Sequence, residues 1–220
     1  MGKRALIIGA SGGVGSAVSA ALESRGYDVT GLSRREHGLD VTSEDSIARH
    51  LEQLRPGYDL VFVAVGQLAA QSGPEKSLKS LTPQEMAHLF AVNAIGPSLV
   101  LKHAIPLLRR DQRAIFAALS ARVGSIGDNA LGGWYSYRAS KAALNQMIHT
   151  AAIELKRSHK HLICVALHPG TVATEFTRNY RNHAAVPADQ AADNLVGVLD
   201  GLTPENTGGF YDWRGAPVPW

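Results

Sequence analysis

Sulfur is nearly missing from these 220 residues, with three methionines and one cysteine, Cys164. A lone thiol excludes an internal disulfide framework and any multi-cysteine metal centre, which fits a reducing, cytoplasmic setting. The nine histidines show no ligand spacing, so no metal site is expected. Long apolar runs are missing too: nothing approaches the roughly 18 uninterrupted residues that a bilayer span needs. The basic start Gly2-Lys3-Arg4 before Ala5-Leu6-Ile7-Ile8 meets Gly9 too soon to be a signal segment, so neither anchor nor membrane partner is expected. Charge of one sign is scarce as well, 22 basic against 19 acidic residues leaving a net +3. The basic clusters Arg109-Arg110 with Arg113, and Lys156-Arg157 with Lys160, fall where helices are expected to end. Cations there complement the helix dipole, and no nucleic-acid partner is expected.

What is present is an ordinary globular composition, 45% hydrophobic and 19% charged, in a chain long enough to bury a sizeable core. Short β-branched apolar runs alternate with longer amphipathic stretches, the rhythm of repeated strand-helix units around a parallel sheet. Strands are expected near 4–8, 28–32, 39–41, 59–65, 113–119, 162–167 and 208–213, and helices over 13–25, 43–54, 134–158 and 187–201. Thr82-Pro83-Gln84-Glu85 places a capping hydroxyl, a proline and a carboxylate at the start of a further helix, running to about Arg110. Pro97 and Pro106 should kink or break it. With no repeat, low-complexity tract or linker, 1–220 reads as a single-domain Rossmann-like α/β fold, a doubly wound parallel sheet with helices on both faces.

The first strand runs directly into Gly9-Ala10-Ser11-Gly12-Gly13-Val14-Gly15, which opens a helix. Glycines at such a junction permit a tight turn and let backbone N–H groups approach a pyrophosphate at the helix N-terminus. A glycine turn used only for geometry is the alternative, and the position at the first strand-helix junction favours the dinucleotide. The second strand ends in Ser33-Arg34-Arg35, with no carboxylate for a ribose 2′-hydroxyl. Arg34 can instead pair with a 2′-phosphate, so NADP(H) is expected over NAD(H), a solvated turn being the other reading. Tyr137 and Lys141 stand four residues apart, one helical turn, and an ammonium beside a phenol favours the phenolate; the spacing alone reads more readily as an exposed helix face. Tyr135 is a rival, but Ala139 follows it at that spacing.

Gly9-x3-Gly13-x-Gly15, Asn93 in Val92-Asn93-Ala94, the Tyr137/Lys141 pair and Pro169-Gly170 after a late strand resemble the short-chain dehydrogenase/reductase family over nearly the whole chain. Segments 120–126 and 132–145, with the ending Gly209-Phe210-Tyr211-Asp212-Trp213-Arg214, are similar to its C-factor branch, which includes sniffer-type carbonyl reductases. The resemblance implies that Tyr137 protonates a carbonyl oxygen while the cofactor supplies hydride, and that Lys141 tunes Tyr137 and meets the nicotinamide ribose. It places Asn93 in a helix bend that holds a water near Lys141, the other reading being a helix-interior asparagine that bonds locally. Asp40 would lie by the adenine with Val41; Val65 and Gly66 would meet the cofactor by backbone; Pro169, Gly170, Val172 and Thr174 would cover the nicotinamide. Asp40 as a plain turn residue is nearly as good a reading.

The family's serine donor is the departure, because its position aligns with Ala121. Ser125 and Ser120 are the candidates to replace it. Adjacent strand residues face opposite ways, so Ser120 cannot simply exchange roles with Ala121, and Ser125, in the loop beyond, ranks slightly above it. His168 reads as a packing or orienting residue, Cys164 as core, and His159 with His161 as a surface turn. Residues 175–186 offer a short lid, where Arg178, Tyr180, Arg181 and His183 would bias the site toward polar substrates or form a solvated loop. The expected activity is NADPH-dependent reduction of small aldehydes or ketones, the substrate being a small carbonyl compound or alcohol. The alternative is a cofactor-binding signalling or regulatory protein with little turnover. A homodimer or homotetramer is expected by the same resemblance.

Overall fold

Arg-Ala-Leu-Ile-Ile, nearly all of it buried, makes β1 (Arg4–Ile8), and apolar runs of this kind recur as strands covered on both faces. The computed structural model describes residues 2–70, 73–178 and 185–220. After β1 come α1 (Gly13–Glu23), β2 (Asp28–Leu32), α2 (Arg34–His37), α3 (Glu44–Leu51), β3 (Leu60–Val63), α4 (Pro83–Phe90) and α5 (Gly96–Ala104). Then follow β4 (Ala114–Leu119), α6 (Tyr135–Leu155), β5 (Leu162–His168), α7 (Ala188–Gly201) and β6 (Phe210–Asp212). Among the described residues, six strands pair in parallel in the order β2-β1-β3-β4-β5-β6, with Ile8 beside Leu32 on one side and Val63 on the other.

Alternation along the strands divides the core in two. Leu6, Ile8, Val61, Phe116 and Cys164 face α3, α5 and α6 through Ile47, Val100, Leu144 and Ile148. Ala5, Ile7, Phe62, Ile163 and Val165 face α1 and α7 through Val18, Leu22, Leu195 and Val196. The chain order reverses between β1 and β3, so a crevice opens beyond their carboxyl ends, where ligands bind in open sheets of this kind.

Two expectations need correction. No strand forms at 39–41: Gly38 is left-handed at φ 73°, and the Asp40 carboxylate accepts Thr42 N–H at 2.9 Å and Thr42 Oγ1–H at 2.7 Å, which turns the chain. The long helix starts as expected, with Thr82 capping the Glu85 N–H, but its first disruption precedes Pro97. Ala91–Ile95 forms a π turn, α5 restarts with Pro97 in its first turn, and a 3-10 turn at Ile105–Leu107 takes up Pro106. Pro97 has no N–H for the Asn93 carbonyl, so a wider turn is tolerated there. The continuous helical run Pro83–Leu107 has the length and composition of a membrane span, yet half of its apolar window is buried inside the protein.

Beyond β6 the chain folds back along it. Asp212 N–H donates to Ala216 O at 2.8 Å and Val218 N–H to Phe210 O at 2.8 Å. The Trp220 ring stacks on Phe210, 6.0 Å between centroids.

Candidate active site

The glycine turn is built by close approach. Gly9 has φ 91°, and a Cβ there would fall 2.6 Å from the Ala64 carbonyl oxygen, so the last turn of β1 passes against the end of β3 without room for a side chain. α1 begins beyond it with no side-chain cap and no acid in its first turn, which leaves an electropositive helix start facing the crevice. A Cβ on Gly13 would meet Thr174 Cγ2 at 2.6 Å, which brings the segment after β5 against the glycine turn. Arg35 reaches over the turn to Ser11 O at 3.5 Å. Arg34 is exposed beside it, while Ser33 caps α2 by accepting the Glu36 N–H at 3.3 Å. Thr42, donating from hydroxyl and backbone, holds the Asp40 carboxyl below its ordinary value, with Arg34 adding to the effect. The side chain of Val41 packs into the core, and its carbonyl abuts Gly96.

The catalytic candidates converge at the carboxyl ends of β3 and β4. The π turn presents Asn93, fully buried, whose Oδ1 accepts the Gln67 N–H at 2.7 Å. Its Nδ2 donates to Gln67 O at 2.8 Å and to Ser140 Oγ at 3.0 Å, and Ser140 Oγ–H passes on to the Tyr137 carbonyl at 2.9 Å. Gly66 stands over the same point: a Cβ there would lie 3.3 Å from both Asn93 Oδ1 and Lys141 Nζ. Lys141 donates to the Leu119 carbonyl at 2.8 Å, and burial lowers its pKa to about 7. Burial raises the Tyr137 phenol above its ordinary value. Desolvation thus drives both members of the pair toward their neutral forms, against the expectation that the ammonium would dominate the phenol. The Tyr137 ring lies between Trp134 and Phe176, each with its centroid 6.2 Å away, and packs with Leu68, Leu89, Ala121 and Val123.

Ala121 therefore occupies the flank of Tyr137, and the two serines point elsewhere. Ser120 Oγ–H donates to Asn145 Oδ1 at 2.6 Å, into α6. Ser125 Oγ accepts the Asp128 N–H at 3.1 Å and is buried in its own turn.

A family model described as enoyl-(acyl carrier protein) reductase matches residues 9–209. A curated relative, 1-hydroxy-2-glutathionyl-2-methyl-3-butene dehydrogenase of Rhodococcus sp. strain AD45, is 32% identical over 98% of both chains. The chain belongs to the short-chain dehydrogenase/reductase family. It is an oxidoreductase of that family, and its relatives include the C-signal protein of Myxococcus xanthus, 36% identical over 69% of this chain and 89% of that one. Among solved structures, a short-chain dehydrogenase/reductase of Burkholderia multivorans with bound NADP superposes at TM-score 0.84, with 28% identity and full coverage of both chains.

Within this short-chain dehydrogenase/reductase, Gly170 abuts the Trp213 ring and Val172 is buried beneath the Thr174 turn. His168, at the end of β5, is neutral at physiological pH: burial takes its pKa down to about 4, Arg122 adds to this, and Asp212 opposes it. Its Nδ1 is buried without a hydrogen-bond partner. Burial pushes the Cys164 thiol up to about 12, as befits a core residue. Of the lid residues, Arg178 pairs with Glu175 at 3.1 Å; Tyr180, Arg181 and His183 lie outside the described residues. A cavity of about 530 Å³ opens at the opposite, amino-terminal edge of the sheet. Of the charges lining it, Arg109 pairs with Asp59 and Arg113 holds the carbonyls that end α7.

Residue types alone did not expose Gln67, Phe176, Arg138 or Glu75 as members of the site. Gln67 and Glu75 act through partners 26 and 61 residues away, and no local spacing announces them.

Proposed function

We propose that the protein is an NADPH-dependent reductase of small aldehydes or ketones, working in the cytoplasm with Tyr137 as proton donor. The observation that carries this reading is the convergence of Tyr137, Lys141, Asn93 and Gly66 beside an uncapped glycine-turn helix start. The glycine turn from Gly9 to Gly15 fits a pyrophosphate, since it offers backbone donors where side chains would collide. Arg34 and Arg35, exposed at the end of β2, fit a 2′-phosphate, and NADP in the Burkholderia relative supports that preference. Bound in this crevice, the reduced nicotinamide supplies the hydride that adds to the carbonyl carbon.

The remaining steps belong to the chain. Burial keeps the Tyr137 phenol protonated through the neutral range, so it is charged with the proton that reduction needs. It gives that proton to the carbonyl oxygen as the C–O double bond becomes an alcohol. The phenolate left behind takes a proton back from solvent before the next turnover, and Lys141, one helical turn away and with its pKa lowered by burial to about 7, tunes the phenol. Asn93 pins the π turn to Gln67 and, through Ser140, to the catalytic helix. Trp134 and Phe176 flank the phenol ring and fix its orientation.

A second reading, a cofactor-binding signalling or regulatory protein with little turnover, draws on Ala121, which packs on Tyr137 at the position where the family resemblance expects a serine. The C-signal relative supports it. One assay separates the two: loss of absorbance at 340 nm with NADPH, then NADH, against a panel of aldehydes, ketones and diketones. The reductase reading expects turnover that falls about 10²- to 10⁴-fold in Tyr137→Phe, the range of a lost acid–base group. NADPH binding without consumption across the panel would favour the second.

A further inference from the structure

α6 carries Tyr137 in its first turn, yet its own sequence does nothing to hold that turn. Its N-cap residue, Trp134, has no side-chain cap bond and stands in the left-handed region at φ 52°, directly after Gly132 at 63° and Gly133 at 68°. No acidic residue lies in the first turn. The missing groups arrive from a loop 61 residues earlier. The Glu75 carboxylate, 5% exposed, accepts the Ser136 N–H at 3.3 Å and the Ser136 hydroxyl, and its backbone carbonyl accepts the Trp134 N–H at 2.6 Å. On the other side of Tyr137, Arg138 ties down the carbonyls of the approach loop, Gly133 at 2.9 Å, Gly132 at 3.0 Å and Val123 at 3.3 Å.

We infer that Glu75 is a positioning residue for Tyr137, acting through Trp134 and Ser136 as the N-cap that α6 lacks. A carboxylate accepting first-turn N–H groups is what a helix start favours, in hydrogen bonding and in dipole alike. Removing the carboxylate leaves the Ser136 hydroxyl and N–H without their acceptor in a buried setting, which a helix relieves by fraying. Fraying stays local, since the rest of α6 is held by Leu144, Ile148 and Ala152 in the core. The residue displaced is then Tyr137, whose ring also leans on Trp134.

The effect on turnover rests on the reductase reading; the effect on the helix does not. The test is hydrogen-exchange mass spectrometry of segments 132–141 and 145–155 in the parent, Glu75→Ala and Glu75→Gln, with kcat and KM on the same preparations. Glu75→Ala should speed exchange at 134–138 about tenfold while 145–155 stays protected. It should lower kcat about 10- to 100-fold, the scale of a misplaced reacting group, with KM for NADPH unchanged. Glu75→Gln, which keeps shape and an acceptor, should restore most of both. Unchanged exchange at 134–138, or faster exchange with parental kcat, overturns the proposal. A parent without turnover sinks the reductase reading, and the exchange arm still decides whether Glu75 holds the turn. If Glu75→Ala does not fold, Ser136→Ala takes its place, and unchanged exchange there overturns the proposal equally.

Discussion

Lys141 is the residue where burial and chemistry meet. Its pKa of about 7 in the folded protein lies below the ordinary 10.5, so between those values the unfolded chain holds a proton that the folded one does not. Stability from this group must therefore rise with pH from about 7 to 10.5, and below 7 the full penalty of burying an ammonium is present. Urea unfolding of the cofactor-free protein should show a higher midpoint at pH 9 than at pH 7, and Lys141→Met should remove that part of the slope. Arg34 and Arg35 make a second residue-scale prediction. Replacing both with alanine should raise KM for NADPH about 10- to 100-fold, the worth of charge-assisted hydrogen bonds, and leave NADH nearly unaffected. Spacing shows that Tyr137 and Lys141 share one helix face, and it is the resemblance to the family, not the spacing alone, that singles them out in the sequence. Side-chain direction is not legible there: Ser120 turns into α6 toward Asn145, and Glu75 finds its partner far along the chain.

Among elements, the 3-10 turn Arg122–Gly124 bears directly on the catalytic helix. A Cβ on Gly124 would lie 2.8 Å from the backbone carbon of Lys141, so this turn and α6 are in contact at the residue that matters most. Gly124→Ala should destabilise the protein by about 1–3 kcal/mol, an overpacking penalty, and lower kcat as Lys141 is displaced. Differential scanning calorimetry with a parallel activity assay reads both. Six of the seven expected strands form: β1, β3, β4 and β5 are apolar runs buried on both faces, while β2 and β6 close the two edges of the sheet. The seventh, 39–41, does not form because an Asx turn at Asp40 wins over three residues of β preference. The prolines announce that the long helix is interrupted but not that its first interruption is a π turn ahead of Pro97, since a missing N–H does not choose its own repair; the bend at Asn93 is legible only through the family resemblance.

For the whole molecule, doubly wound layering leaves α6 with one face in the core and another in solvent. Met147, Thr150 and Ile153 share that outer face, with Met147 48% and Ile153 56% exposed. The proposed homodimer or homotetramer would cover it. Size-exclusion chromatography with light scattering should report a dimer or tetramer, and Met147→Glu combined with Ile153→Lys should return a monomer that still binds NADPH. The sheet itself ends in two strands that behave unlike each other. β2 is five residues long with an exposed aspartate at its start, a poor template for another chain. β6 is guarded by the protein's own tail, whose Ala216 and Val218 take up the Asp212 N–H and the Phe210 carbonyl on its outer edge. The tail thus takes up the hydrogen-bonding groups that an open strand edge would offer to another chain. A chain cut before Ala216 would keep its catalytic groups yet present an open strand edge, and it should gather into β-rich aggregates that light scattering detects at concentrations where the parent stays clear.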